Sequence, residues 1–355
     1  MTVNVLITGI GGGGNGMEIL KALRLSGTAY KIVGTDLSKL SYGSSFVDKF
    51  YVVPPAGHQE YIDSLIRIIK ENKIRALFSG SEPELKAIRK NRNLFKDYEV
   101  MLPLNSEAVI ELCMNKLELM DYLKSKGAKV PETFLISSLS DIENIDTDKY
   151  PLVCKPHVGS GGSNNVFIVQ NKRELNLIAQ YLMGYLGGFI TQEYVGGSES
   201  EYTVGVLSDF DGNLIDSIAV KRHIISGIGS RVQVPNRTDN RSLGEVLVIS
   251  SGISQGRIGR YPEITEYCEK VSSALMSKGP LNLQCRLYDG EVYIFEINPR
   301  LSGTTYFRAM VGFNEPDILI RKYVLSEKIS GKRMSYKEGF ILRGLHENFI
   351  DIERV

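Results

Sequence analysis

No stretch of this chain limits its fold as tightly as residues 281–300, Leu-Asn-Leu-Gln-Cys-Arg-Leu-Tyr-Asp-Gly-Glu-Val-Tyr-Ile-Phe-Glu-Ile-Asn-Pro-Arg. Asp289-Gly290 between two alternating apolar runs predicts a β-hairpin. Its register decides what the hairpin presents. A two-residue turn would put Gln284 and Glu296 on opposite faces. A three-residue loop, Tyr288-Asp289-Gly290 with Gly290 left-handed, gathers Asn282, Gln284, Arg286, Glu296 and Asn298 on one face. Leu283, Cys285, Leu287, Tyr293, Phe295 and Ile297 then make an apolar face suited to a core, so this second register is the one expected.

A carboxylate and two amides on one strand face invite an explanation, because buried and unpaired they would cost about 1–3 kcal/mol each. Oxygen ligands of this kind suit a hard cation such as Mg²⁺, which takes few carboxylates and shares its sphere with phosphate. Arg300, just beyond Pro299, can fork onto phosphate oxygens. The competing reading is the solvated face of an edge hairpin.

Upstream, residues 1–103 alternate strand and helix, the pattern of a small parallel sheet covered on both sides. Val3–Thr8 is a continuous apolar run, helices are expected at 17–25, 60–72 and 84–94, and further strands at 32–35, 76–78 and 99–101. Gly9-x-Gly11-x-x-Gly14 follows the first strand, and Asp36 closes the second, which meets the local fingerprint for a dinucleotide. The plain alternative is a glycine turn that lets strand and helix pack closely. Ser81-Glu82-Pro83-Glu84 admits two readings as well. Glu82 can meet a substrate amino group, or Ser81 simply caps the next helix with Glu84 completing a capping box.

Pro151–Pro156 is a short apolar strand closing on Lys155, and Gly159-Ser160-Gly161-Gly162-Ser163 follows before a strand at 166–169. Small residues let such a loop approach a phosphate with its backbone amides, and the lysine adds a point charge. A mobile hairpin tip is the alternative. An apolar strand at 189–195 leads through Gly196-Gly197 to another at 202–207. Lys221, Arg222, His223 and Arg231 gather positive charge, and Lys221 and Arg231 are favoured among them.

Composition sets the outer limits. At 355 residues with a net charge of +1, the chain holds about two or three domains and has no bulk charge for nucleic acid or an anionic membrane. Cys113, Cys154, Cys268 and Cys285 lie far apart, the pattern of reduced thiols in a cytoplasmic protein. No apolar run is long enough to span a bilayer and no leader is evident, so neither a membrane nor secretion is expected.

Asn-Leu-Gln at 282–284 with Phe-Glu-Ile-Asn-Pro-Arg at 295–300 resembles the metal- and phosphate-binding segment of the ATP-grasp superfamily, especially its carbamoyl-phosphate-synthetase large-chain-like branch of carboxylate-amine ligases. The 151–169 segment is similar to that family's lid. The resemblance implies an α/β fold: a Rossmann-like parallel-sheet domain at 1–103, then two α+β subdomains clasping ATP. These would run over 104–188, with the lid at 156–166, and 189–330, with the adenine hinge and metal site, and a tail at 331–355 would pack on them.

It also implies roles. Lys116, Lys155 and the loop Gly159, Ser160, Gly161, Gly162 and Ser163 would reach the ATP phosphates. Gln192, Glu193, Tyr194 and Val195 would form the adenine hinge, with Gln192 replacing the more usual Glu. Glu201 would hold the ribose hydroxyls, with Glu199 as its rival. Glu296 and Asn298, with Gln284 where many ligases carry Asp, would hold Mg²⁺, and Mn²⁺ is an admissible substitute. Arg300, Lys221 and Arg231 would neutralise charge on the transferring group, while Arg308 would receive a substrate carboxylate.

The implied reaction joins a small-molecule carboxylate to an amine through an acylphosphate, with an amino acid or peptide-like substrate, no nucleic-acid or membrane partner, and a homodimer common among relatives. Lacking a second copy of the Lys155-to-Arg300 pattern and a Met-Lys-Met biotinylation site, the chain is expected to be neither a full carbamoyl phosphate synthetase nor a self-contained biotin carboxylase system. An NAD(P)-dependent oxidoreductase and a non-catalytic nucleotide-binding protein are the alternatives.

Overall fold

The computed structural model describes residues 2–158, 165–225, 227–329, 333–344 and 346–347. Four parallel strands come first, β1 (Val3–Thr8), β2 (Tyr30–Asp36), β3 (Lys49–Val52) and β4 (Ala76–Phe78), in the order β3-β2-β1-β4. Helices α1 (Asn15–Leu25), α2 (Tyr61–Asn72), α3 (Glu82–Lys90) and α4 (Arg92–Lys96) alternate with them. The strand expected at 99–101 contributes a single parallel bridge, Met101 to Ala76. The alternation pattern missed β3, a partly exposed edge strand that follows β2 with no α-helix between them.

Two helices follow, α5 (Glu107–Met114) and α6 (Lys116–Ser125), broken at Asn115, whose side-chain oxygen accepts from the Glu118 amide at 3.4 Å and caps the second. A four-stranded antiparallel sheet comes next: β5 (Thr133–Ile136), β6 (Leu152–Lys155), β7 (Phe167–Val169) and β8 (Phe189–Glu193), in the order β5-β8-β6-β7. Helix α7 (Lys172–Leu186) packs on it through Leu175, Ala179 and Leu182. The glycine-rich loop assigned to the lid, residues 159–163, lies outside the described residues.

The last strands are β9 (Glu201–Ser208), β10 (Leu214–Arg222), β11 (Ser230–Pro235), β12 (Val246–Ser250), β13 (Gly256–Gly259), β14 (Pro280–Tyr288), β15 (Glu291–Asn298) and β16 (Gly339–Ile341). β11 pairs with β12, and the other six form one sheet in the order β15-β14-β9-β10-β13-β16. One face of that sheet buries Val204, Val206, Leu281, Leu283 and Cys285 against α5, α6 and α8 (Pro262–Ala274). Each such aliphatic side chain contributes about 1.5–3 kcal/mol when fully buried. Helices α9 (Thr305–Met310) and α10 (Glu315–Tyr323) follow, and β16 in the tail closes the sheet's far edge against β13.

The hairpin corrects the expected register. Tyr288 pairs with Glu291 across a two-residue turn in which Asp289 and Gly290 have φ of 50° and 73°, the geometry an Asp-Gly turn favours. The extra residue sits instead in a bulge: Gln284 faces Glu296, but Cys285 faces Ile294, so Phe295 has no partner across the ladder. Gln284 and Glu296 therefore still share a face. Closer to the turn the faces exchange. Val292 and Ile294 are buried in the core, where Tyr293 and Phe295 were expected.

Candidate active site

The β9, β14 and β15 ladders place polar residues on the sheet face opposite this core. Glu201 stands beside Arg286, Gln284 beside Thr203 and Glu296, and Asn282 beside Asn298. The bulge then recruits a side chain from the other sheet, because the Phe295 carbonyl accepts the Lys155 ammonium at 3.2 Å. Lys155 is 7% exposed. Burial, opposed by Glu296 and aided by Lys116, pushes its pKa down to about 8. Lys116, buried at the start of α6, donates its amide to the His157 carbonyl at 3.0 Å.

Gln284, Glu296 and Asn298 come together. Gln284 Nε2 donates to one Glu296 oxygen at 3.1 Å, and Asn298 Nδ2 to the other at 3.2 Å. Arg300 bridges outward, donating to Asn298 Oδ1 and to Glu82 Oε1, both at 3.3 Å. Among the described residues no three His, Cys, Asp or Glu side chains gather to hold a metal. One carboxylate and two amides nevertheless fit Mg²⁺, since each amide offers a hard oxygen once it turns from Glu296, and waters and phosphate can complete the sphere.

Glu201 is built differently. It is 1% exposed, bonded to Arg222 at 2.8 Å and to Arg286 at 2.9 and 3.1 Å. Burial alone would raise its pKa, but the two guanidiniums outweigh that and hold it below the usual carboxylate range. Its rival Glu199 is exposed.

Two cavities meet at Gln284 and Glu296. The first, about 100 Å³, is lined by the residues expected at the hinge, Gln192, Glu193, Tyr194 and Val195, by Lys116, Lys155 and Glu201, and by apolar walls including Val248 and Phe295. Tyr194 is held by its hydroxyl, which donates to the Val248 carbonyl and accepts from the Val248 amide at 3.2 and 2.8 Å. Gln192 donates to Thr133 Oγ1 at 3.1 Å. The second cavity, about 820 Å³, runs from Glu296 and Arg300 to the 11–14 glycine turn and to Arg343 of the tail.

Three expected site residues lie elsewhere. Lys221 and Arg222 point to opposite sides of β10: Arg222 joins Glu201, whereas the exposed Lys221 sits 5.9 Å from the Tyr202 ring centre on the other face. Arg231, on β11, is exposed. Arg308 is fully buried and receives the protein's own Glu315 rather than a ligand. Arg286 and Phe295 went unassigned in the sequence because their roles need partners from distant strands. Arg343 had no motif around it.

Packing accounts for two glycines at and beside the glycine turn, Gly16 and Gly80. A Cβ on Gly16 would lie 2.5 Å from the Gly9 carbonyl oxygen and 2.6 Å from that of Thr8, and a Cβ on Gly80 would run into the Thr8 carbonyl. These glycines are required by close backbone approach, whatever the turn binds.

Residues 113–304 match the model of the ATP-grasp domain, and residues 5–103 match that of the PylC-like N-terminal domain. The carbamoyl phosphate synthase large chain of Thermoplasma acidophilum is 23% identical over 302 residues, which are 81% of this chain but 26% of the relative. The chain thus spans about a quarter of that relative's length. Among solved structures, the L-amino acid ligase of Bacillus licheniformis superposes with a TM-score of 0.62 at 18% identity, covering 91% of this chain and 74% of that one. The biotin carboxylase domain of the Hydrogenobacter thermophilus 2-oxoglutarate carboxylase, solved with MgADP, gives 0.62 at 16%, covering 94% and 70%. With more than half of its length matched by one family model, on a fold these structures share, the chain belongs to the ATP-grasp family.

Proposed function

We propose that this chain is a Mg-ATP-dependent ligase that activates a small-molecule carboxylate as an acylphosphate and joins it to an amine. One observation carries the reading: Gln284, Glu296, Asn298 and Arg300 converge where a cavity lined by residues 192–195, Lys155 and Glu201 opens into a much larger one. Adenine takes the hinge at Gln192, Glu193, Tyr194 and Val195, the ribose lies toward Glu201, and the phosphates extend to Lys116 and Lys155. Mg²⁺ held by Glu296 and Asn298, with Gln284 as third ligand, would supply a Lewis acid and template for the phosphate oxygens, and Mn²⁺ takes the same donors.

The chain's own work is positioning and charge neutralisation. Lys155 and Arg300 face the developing charge, and Glu82, oriented by Arg300, stands ready for the ammonium of an amino-acid substrate. The loop at 159–163 would exclude water, without which an acylphosphate hydrolyses. The similarity to an L-amino acid ligase fold supports amino acids as the substrate class.

The test is ADP release from Mg-ATP with amino acids supplied in pairs. Turnover that needs both members of a pair supports the reading. Mg-ATP binding without turnover for any pair would mark a non-catalytic nucleotide-binding protein, and NADH binding without Mg-ATP binding would favour an oxidoreductase.

A further inference from the structure

Arg308, on α9, heads the fully buried side chains by size. It lies across β9 at Gly205, where a Cβ would run into its guanidinium. Its Nη1 meets both oxygens of the equally buried Glu315, at 3.1 and 3.0 Å. Its Nη2 donates to Asn282 Oδ1 at 2.7 Å, and Thr203 Oγ1 donates to that same oxygen at 3.0 Å. The Arg308 Nε–H is buried and has no partner among the described residues, so the guanidinium is not arranged for its own satisfaction.

The arrangement fixes the orientation of one amide. The Asn282 amide cannot turn over, since its N–H₂ would then face the Arg308 guanidinium, which donates only; the Thr203 hydroxyl adds a second bond to Oδ1 in the orientation that Arg308 sets. Among the described residues no acceptor takes that N–H₂. Asn282 is 4% exposed, lines the 820 Å³ cavity with Arg222 and Arg300, and stands opposite Asn298 in the ladder. A locked, unspent donor among cations beside the candidate metal site fits an anionic oxygen.

We infer that Asn282 reads a substrate oxyanion at the reaction centre, and that Arg308 and Glu315 are positioning residues that lock it in the donor orientation. The inference rests on the ligase reading for where the reaction occurs. The oxyanion belongs either to the carboxylate substrate or to the phosphoryl group passing to it.

Asn282→Asp tests this. The aspartate keeps an acceptor for Arg308 and Thr203 and turns an oxygen into the cavity in place of the N–H₂. Calorimetry follows Mg-ADP binding, and then inorganic phosphate and acetate titrated separately onto the Mg-ADP complex. Asn282→Asp should weaken an oxyanion about tenfold or more while Mg-ADP affinity stays within about twofold. Loss with phosphate alone points to the phosphoryl group, and loss with acetate points to the carboxylate. Arg308→Lys, which retains a charge for Glu315 but has no second arm, should cause a smaller loss that adds nothing to Asn282→Asp in the double variant.

Unchanged binding of both anions by Asn282→Asp, or no anion binding by the unaltered protein, overturns the inference. Additive losses overturn the positioning role. Absent Mg-ADP binding would instead count against the ligase reading, and phosphate titrated alone would still decide the role of Asn282.

Discussion

Two carboxylates, Glu201 and Glu296, line the same cavity and are treated in opposite ways. Glu201 is buried and gripped by two guanidiniums, so its charge is balanced within the protein. Glu296 is half-buried, accepts two neutral amides, and forms no salt bridge among the described residues. Glu201 commits its charge to direct ion pairs, whereas Glu296, with Lys155 near but no direct ion pair among the described residues, keeps carboxylate oxygens available to an added cation. The first looks built for rigidity and the second for chemistry.

The largest expected effect tests the rigid half. Glu201→Ala leaves Arg222 and Arg286 buried without their partner and should cost about 3–5 kcal/mol of unfolding free energy in urea. A loss under about 1 kcal/mol would mean water already compensates this cluster. Next comes the other half. Glu296→Gln should lower ATP turnover about a hundredfold or more while shifting unfolding free energy by less than about 1 kcal/mol. Full turnover in that variant would erase the contrast between the two acids.

Lys155 sharpens the comparison through pH. Its folded-state value is about 8 against an ordinary 10.5. Between those values the unfolded chain holds more protons than the folded one, so this group's contribution to stability rises with pH across that window. Its positive charge is lost over the same range. Nucleotide affinity should therefore weaken as pH rises through about 8, and Lys155→Met should show a lower affinity without that step. A nucleotide affinity flat from neutral pH to about 9.5 would remove Lys155 from the phosphates. The smallest effect belongs to Lys221→Ala. On the outer face of β10 its removal should change turnover by less than about twofold, and a larger loss would show that this face takes part.

Much of this was readable from the chain. A carboxylate and two amides at alternate positions, beside an Asp-Gly turn, foretold a polar strand face followed by an arginine, and strand-helix alternation foretold the parallel sheet. Both are local: period-two geometry assigns faces within a strand, and apolar runs mark strands covered on both sides. The roles of the glycines at 9–16 were not readable, because a close-packed backbone and a bound phosphate call for the same residue.

The sequence by itself determined which residues of the 281–300 hairpin carry the polar chemistry and what fold surrounds them. Only the tertiary structure decided that the spare residue lies in a bulge at Phe295 rather than in the turn. That choice frees a carbonyl for Lys155, from a different sheet. It also decided that Arg222 rather than Lys221 faces Glu201, that Arg308 pairs with Glu315 and orients Asn282, and that Arg343 of the tail returns to Glu18 at 2.7 Å. Each of these depends on which distant charge or carbonyl completes a buried hydrogen bond, and spacing along the chain carries no information about that.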